Sequence, residues 1–368
     1  MTAGRGSAIK TFGHGLGRAR GRSGAISVTI KEIAEATGLS WPTVSQVLSG
    51  KGQRYSAATR EKVADAARAL GYRPNRFARA VRSGRFGCAA LLLSSESVRS
   101  TLPAGLLRGI HAALAERDMD LTLAVLPDEK LTSEGFVPSI LREWMADGLL
   151  INYTDHIPRR MVELIGEHRL PSVWINCRLE ADGVYPDDLA AGRLATRHLI
   201  DLGHREIAYV DFAWGHEDIG EAHYSVRDRQ AGYEQAMREA KLTPRVAREA
   251  RRVPGTERHG HLERLLRSPG RPTGLVQYAT GPETWLVAER AGLRVPEDLS
   301  IVAFANEAET VCGVAVTTLR VPQRELGAAA VEMLTARIAR PGEVLPSRAI
   351  GFGLAAGGTT GPPPRRSR

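Results

Sequence analysis

The sequence predicts an α/β protein in two parts, a small all-helical N-terminal module and a larger body of two parallel-sheet lobes. Charge segregation is the first observation behind this reading. Residues 1–84 hold 15 Lys+Arg against 4 Asp+Glu, a net of +11, whereas the remaining 284 residues hold 35 against 37. The second is a set of three short, well-capped helical patterns within residues 28–74. The third is strand–helix alternation from 88 to 355, which calls for parallel sheets covered by helices on both faces. Several classes drop out at once. The longest apolar runs, such as Ala89 to Leu93, are strand-sized and span no membrane. The N-terminus is basic but has no apolar signal-peptide core. Cys88, Cys177 and Cys312 lie far apart with no CxxC, which excludes a disulfide framework and a Cys-rich zinc site and suits a reducing cytoplasm.

Residues 1–27 carry five basic residues among many glycines and no acid, so a disordered leader is expected, native or upstream of the true start. From Val28 the pattern changes. Thr29-Ile-Lys-Glu32 is a capping box opening a first helix, with Ile30, Ile33 and Ala34 inward and Gly38 as its stop. Ser40 caps a second helix through about Ser49, where Pro42 is tolerated because first-turn amides have no intrahelical acceptor. Val44, Val47 and Leu48 form its apolar stripe, leaving Trp41, Pro42, Ser45 and Gln46 outward. A third helix from about Ser56 to Leu70 buries Val63, Ala66, Ala67 and Leu70. Two short helices joined by a glycine-containing turn, with a third packed below, make a helix-turn-helix domain over 28–74. The basic excess argues that its second helix enters a DNA major groove.

The run Val28-Thr-Ile-Lys-Glu-Ile-Ala-Glu-Ala-Thr-Gly-Leu-Ser-Trp-Pro-Thr-Val-Ser-Gln-Val-Leu-Ser49, with Leu70-Gly-Tyr-Arg-Pro-Asn75, resembles the headpiece of the LacI/GalR (lactose repressor) family. The resemblance implies base reading by Trp41, Pro42, Ser45 and Gln46 and phosphate contacts from Thr29, Ser40, Thr43 and Arg60. Pro42 has no donor and contributes shape and apolar contact, while Gln46 can pair bidentately with adenine. The basic stretch at 75–84 corresponds to the family's hinge helix, which folds in the minor groove. Asn75, Ala78, Arg79 and the wedge residue Val81 are its candidates.

In the body, strands are expected at 88–93, 121–126, 148–151, 172–175, 206–211, 274–278 and 299–304. Helices are expected near 103–117, 135–146, 158–169, 188–202, 227–240, 259–267, 282–292 and 322–340. Asp147-Gly-Leu-Leu-Ile-Asn152, Tyr185-Pro-Asp-Asp188, Arg229-Gln-Ala-Gly-Tyr233 and Val295-Pro-Glu-Asp-Leu-Ser300 extend the family resemblance. It implies a two-lobed, periplasmic-binding-protein-like effector domain over 87–357. Lobe 1 is expected at about 87–185 and 316–341 and lobe 2 at about 186–315 and 342–357, with a disordered tail at 358–368.

A cleft between such lobes is where a small molecule binds. Arg229 falls where the family grips effector oxygens. Asn152 and Asn176 end strands facing the cleft, and Tyr278, Asn306 and Trp214 complete the candidate set. Ala305 stands where the family has a carboxylate, and Ala279-Thr280 where it has Asn-Asp, so a standard monosaccharide fits poorly. His216, Glu217 and His223 are read as a solvated loop rather than metal ligands, and His259 and His261 as surface. No cofactor, metal or catalytic residue is expected. The whole reads as a cytoplasmic, nucleoid-associated homodimeric regulator of double-stranded operator DNA, most simply a repressor. Its small-molecule effector, a carbohydrate or derivative among the candidates, would set operator affinity. The alternative is an architectural DNA binder without effector response.

Overall fold

The computed structural model describes residues 28–73, 84–96, 100–127, 146–154, 157–217, 219–220, 222–254, 257–278, 282–311 and 313–365. The chain divides into two compact units, Met1–Arg79 and Ala80–Arg368.

Within the first unit, helices α1 (Ile30–Thr37), α2 (Trp41–Leu48) and α3 (Ala57–Ala69) surround a core of Ile33, Val44, Val63 and Ala67. Both halves of the Thr29/Glu32 capping box form, and Gly38 ends α1 at φ +64°. Leu70 departs from its expected burial and is 40% exposed. Helix α3 stops at Ala69, and Gly71, at φ +68°, turns the chain so that Tyr72 packs against the core instead. A short 3-10 turn at Gly52–Arg54, absent from the sequence reading, follows α2. Its Gly52 is required, since a Cβ there would sit 2.8 Å from the Val47 Cα.

The second unit holds two six-stranded sheets. Strands β1 (Cys88–Ser94), β2 (Asp120–Leu126), β3 (Gly148–Asn152), β4 (Ser172–Ile175), β5 (Gly183–Pro186) and β13 (Arg348–Ile350) form the first, in the order β13-β5-β4-β3-β1-β2. Strands β6 (Ile207–Val210), β7 (Arg245–Ala247), β8 (Gly274–Gln277), β9 (Ser300–Ala305), β12 (Thr317–Arg320) and β14 (Gly353–Ala355) form the second, in the order β14-β12-β9-β8-β6-β7. All pairings are parallel except β12 with β14. A hairpin of β10 (Thr310–Val311) and β11 (Val314–Ala315) stands apart. Helices α4 (Ala104–Ala115), α5 (Arg159–Glu167) and α10 (Gln323–Ala339) belong to the first lobe. Helices α6 (Asp188–Asp201), α7 (Tyr224–Glu239), α8 (Arg258–Arg267) and α9 (Pro282–Arg290) belong to the second. Each sheet carries one apolar core on either face. The helix expected at 135–146 falls almost wholly outside the described residues.

The lobe boundaries expected from sequence need correction. Crossing points near 316 and 342 put Thr317–Arg320 in lobe 1 and Arg348–Ile350 in lobe 2. Instead β12 pairs with β9 in the second sheet and β13 with β5 in the first. The chain therefore crosses at 187, 321–322 and 351–352. Both strands are short and mostly polar at their exposed ends, so only their partners identify them.

The tail expected to be disordered from 358 is also corrected, at least to 365. Thr359 exchanges backbone and side-chain bonds with Ile301 (Ile301 N to Thr359 O 2.8 Å, Thr359 Oγ1 to Ile301 O 2.7 Å) and caps the Thr317 amide. The wholly buried His204 meets Gly361 O at 2.9 Å, Ser300 Oγ at 3.0 Å and Thr273 Oγ1 at 2.9 Å. Thr359-Thr-Gly361 thus packs along the start of β9, a role set by partners distant in sequence. Residues 366–368 lie outside the described set.

Candidate DNA interface and ligand cleft

Helix α2 begins at Ser40, whose hydroxyl accepts the Thr43 amide. No acid occupies its first turn, so the positive helix end is uncompensated by the chain, which favours a phosphate there. Trp41 is 48% exposed and Pro42 is exposed beside it, whereas Val44 is buried in the core. Ser45 and Gln46, half-buried, lie further along the same helix. Gln46 is already engaged: the Tyr55 hydroxyl donates to its Oε1 at 3.1 Å, and Arg54 Nη2 donates to that hydroxyl at 2.8 Å. Sequence patterning missed Tyr55 and Arg54, because only the turn at Gly52 folds them back onto α2.

Thr29 and Arg60 stand at the starts of α1 and α3, both exposed. Glu32 is held below the usual carboxylate range by the Thr29 backbone and hydroxyl, so this acid is spent on the cap. Arg68 pairs with Asp65. Asn75, Ala78, Arg79 and Val81, the hinge candidates, lie outside the described residues.

In the body, Arg229 on α7 is buried and engaged through two of its nitrogens. Its Nε donates to Asp188 Oδ1 at 2.6 Å and its Nη1 to Tyr278 O at 3.0 Å. The guanidinium also sits 4.4 Å from the Phe304 ring centroid, 4.8 Å from Tyr278 and 5.8 Å from Phe352. Burial pushes the Asp188 carboxyl up while Arg229 pulls it down. Burial also works against the Arg229 cation, but Asp188 holds it above the ordinary arginine value. At 2.6 Å from a guanidinium the pair is ionised. In the sequence Asp188 stands out only as the end of Tyr185-Pro-Asp-Asp188. The two residues lie 41 positions apart, and no local pattern links them.

The other candidates divide. Tyr278 joins Arg229, and its hydroxyl lies 2.9 Å from Ser225 Oγ. Asn176, with φ +58°, accepts from His223 Nε2 at its carbonyl (3.0 Å) and from Tyr224 at Oδ1 (3.3 Å), so lobe 1 meets the first turn of α7. Arg178 and Asp228 bridge the same gap at 2.5 Å. Asn306, exposed, accepts from Gln323 Nε2 at 2.8 Å. It lines a cavity of about 530 Å³ with Arg108, Glu307, Arg320 and Phe352, and Arg108 and Glu307 pair across the lobes at 2.8 Å. Asn152 and Trp214 turn to other partners. Asn152 Nδ2 donates to Thr101 O at 2.6 Å, and the Arg252 guanidinium lies 5.3 Å from a Trp214 ring centroid. A smaller pocket of about 120 Å³ opens within lobe 2 between Asp211, Phe212, Arg258, His259, Gln277 and Tyr278. His261, expected at the surface, is mostly covered instead, paired with Glu249 and 5.8 Å from the Phe212 ring. Among the described residues no group of three or more His, Cys, Asp or Glu is placed to hold a metal. Ala279 and Thr280 lie outside the described set.

Residues 29–75 match the bacterial regulatory proteins of the lacI family, and residues 196–360 match the periplasmic binding protein-like domain. The chain is 29% identical over 337 residues to the ribose operon repressor of Escherichia coli K12, covering 85% of this chain and 94% of that protein. It is 26% identical over 321 residues to the transcriptional repressor PurR of Vibrio atlanticus, covering 84% and 92%. Among solved structures, the Lac repressor dimer bound to operator and the anti-inducer ONPF aligns with a TM-score of 0.70 at 21% identity, covering 91% of this chain and 99% of that one. That last likeness is one of fold.

Proposed function

We propose that this chain, which joins a lacI-family helix-turn-helix domain to a periplasmic-binding-protein-like domain and so has the make-up of a lacI-family regulator, is a sequence-specific transcriptional repressor. Two copies would read a pseudo-palindromic operator, because one short helix contacts too few bases for genomic specificity. The observation that carries the reading is the headpiece: residues 29–75 match the family over a domain whose second helix exposes Trp41 and Pro42 from an acid-free first turn. The two relatives above are named as repressors, and the proposed activity needs no chemistry beyond binding, so we assign no enzymatic role. Among the described residues no helix is long and apolar enough to cross a membrane, and a DNA-bound role in the cytoplasm is proposed. A second copy would cover the sheet edge at β2, where Leu123 (48%) and Val125 (58%) are exposed.

A small molecule in the cleft would act by changing the lobe angle, because the lobes meet through few polar contacts. Among the described residues they include His223 and Tyr224 with Asn176, Arg178 with Asp228, Arg108 with Glu307, and Gln323 with Asn306. A ligand shifts the equilibrium only as far as it favours one arrangement of those contacts over another. A second reading, DNA binding without effector control, is favoured by one observation. Arg229 is committed to Asp188 and the Tyr278 carbonyl, and Ala305 offers no carboxylate in compensation. Thermal-shift screening of sugars, sugar phosphates and purines, followed by operator titration with each hit, separates the two. Stabilisation together with altered operator affinity supports effector control, and no hit from any class supports the second reading.

A further inference from the structure

Residues outside the reading helix fix which edge of Gln46 faces outward. Arg54 Nη2 lies 2.8 Å from the Tyr55 hydroxyl, with the guanidinium 5.0 Å from the ring centroid. A guanidinium has no lone pair to offer, so the Tyr55 oxygen is the acceptor in that bond. Its single proton is then left for Gln46, 3.1 Å away. A carboxamide accepts only through oxygen, so the atom facing Tyr55 is Oε1; one of its lone pairs is taken, while the Nε2 amino group keeps both protons for a partner. Ser40 and Thr43 lie on the same helix start, with Ser40 Oγ 2.8 Å from Thr43 Oγ1. Arg54 first, and Thr43 second, hold the phenol below its ordinary value, as donors to its oxygen do. The turn at Gly52–Arg54 brings this group to α2, and the close approach of Gly52 to Val47 leaves it little freedom to slide.

We propose that Tyr55 is a positioning residue that presents Gln46 to DNA as a donor, so that this chain selects guanine rather than adenine at the Gln46 position. The inference rests on the DNA-reading function above. Guanine lines its major-groove edge with two acceptors, N7 and O6, which an outward amino group can satisfy together. Adenine sets its own N6 amino donor beside N7, thymine offers one acceptor and cytosine a donor. A free glutamine would prefer adenine, because it could use oxygen and nitrogen at once.

The test is selection from randomised duplexes with the full-length chain, comparing wild type with Gln46→Ala, Tyr55→Phe and Arg54→Met. Wild type should enrich guanine at one position per half-site, and Gln46→Ala should abolish that preference while leaving the rest of the site. Tyr55→Phe keeps the ring but frees Oε1, and should move the guanine-to-adenine ratio at that position toward adenine by roughly tenfold. Arg54→Met lets the phenol accept and the amide turn over, so it should shift the ratio in the same direction. The proposal is overturned if the Gln46-dependent position in wild type is adenine. It is equally overturned if Tyr55→Phe and Arg54→Met weaken all sites alike with the ratio unchanged. Failure of the wild-type chain to enrich any sequence overturns the DNA-reading function itself.

Discussion

Replacing Arg229 with methionine removes a cation from a buried ion pair and leaves Asp188, 1% exposed, without its partner. Breaking such a pair from one side costs about 3–5 kcal/mol, because the desolvated charge that remains is uncompensated. The stacked contacts to Phe304 and Tyr278 add to the loss. For a body of this size the midpoint of thermal unfolding should fall by on the order of 10 °C. Asp188→Asn should cost a similar amount from the other side. The double variant, with both charges gone, should recover more than half of the loss. The sign of the pH effect follows from burial. Without the guanidinium, the Asp188 carboxyl binds its proton more tightly folded than unfolded. The Arg229→Met deficit relative to wild type should therefore shrink as pH falls from 7 toward 5. Calorimetry on the four proteins at two pH values is the assay. If each single change costs under about 1 kcal/mol and the two add without coupling, Arg229 is not the structural half of an ion pair and the account of the cleft fails.

Three further outcomes are expected. Arg60→Ala should weaken binding to every sequence alike and lower the salt slope by about one, as for a lone phosphate contact, in anisotropy titrations across salt concentrations. Leu123→Glu places a charge on the exposed edge of β2 and should convert a dimer to monomer in sedimentation, with operator binding lost at dilute protein. The imidazole of His204 is held below the ordinary histidine value of 6.5, chiefly by burial and further by His198, with Gly361 O opposing. Protonation therefore favours the unfolded chain, and wild type should lose stability as pH falls below about 6.5. His204→Gln should flatten that pH dependence while costing stability at pH 8, and it should expose the 357–365 segment to carboxypeptidase.

Local signals carried much of the fold. Thr29 with Glu32, Ser40 and Ser56 mark helix starts that the structure reproduces within a residue, because capping is a contact between neighbours in sequence. Apolar runs such as Cys88–Ser94 identify strands for the same reason. What escaped depends on distant partners. Thr317–Arg320 and Arg348–Ile350 become strands of particular sheets through β9 and β5, and the tail is held by residues distant in sequence, among them Ile301, Thr317 and His204. The sites show the same divide. The outward residues of α2 were legible from its apolar stripe, yet the constraint on Gln46 comes from Tyr55 across a turn. Arg229 stands out in sequence within Arg229-Gln-Ala-Gly-Tyr233, but the acid that pairs with it sits on another helix and makes it half of a buried ion pair.

The most direct test of the account is the affinity of the full-length chain for its selected duplex against a scrambled duplex of equal length, at one physiological salt concentration. A two-fold-related site bound about 10³-fold or more above the scrambled control, as specific regulators achieve, is the predicted result. Equal affinity for both duplexes would contradict it and leave only a basic, nonspecific headpiece.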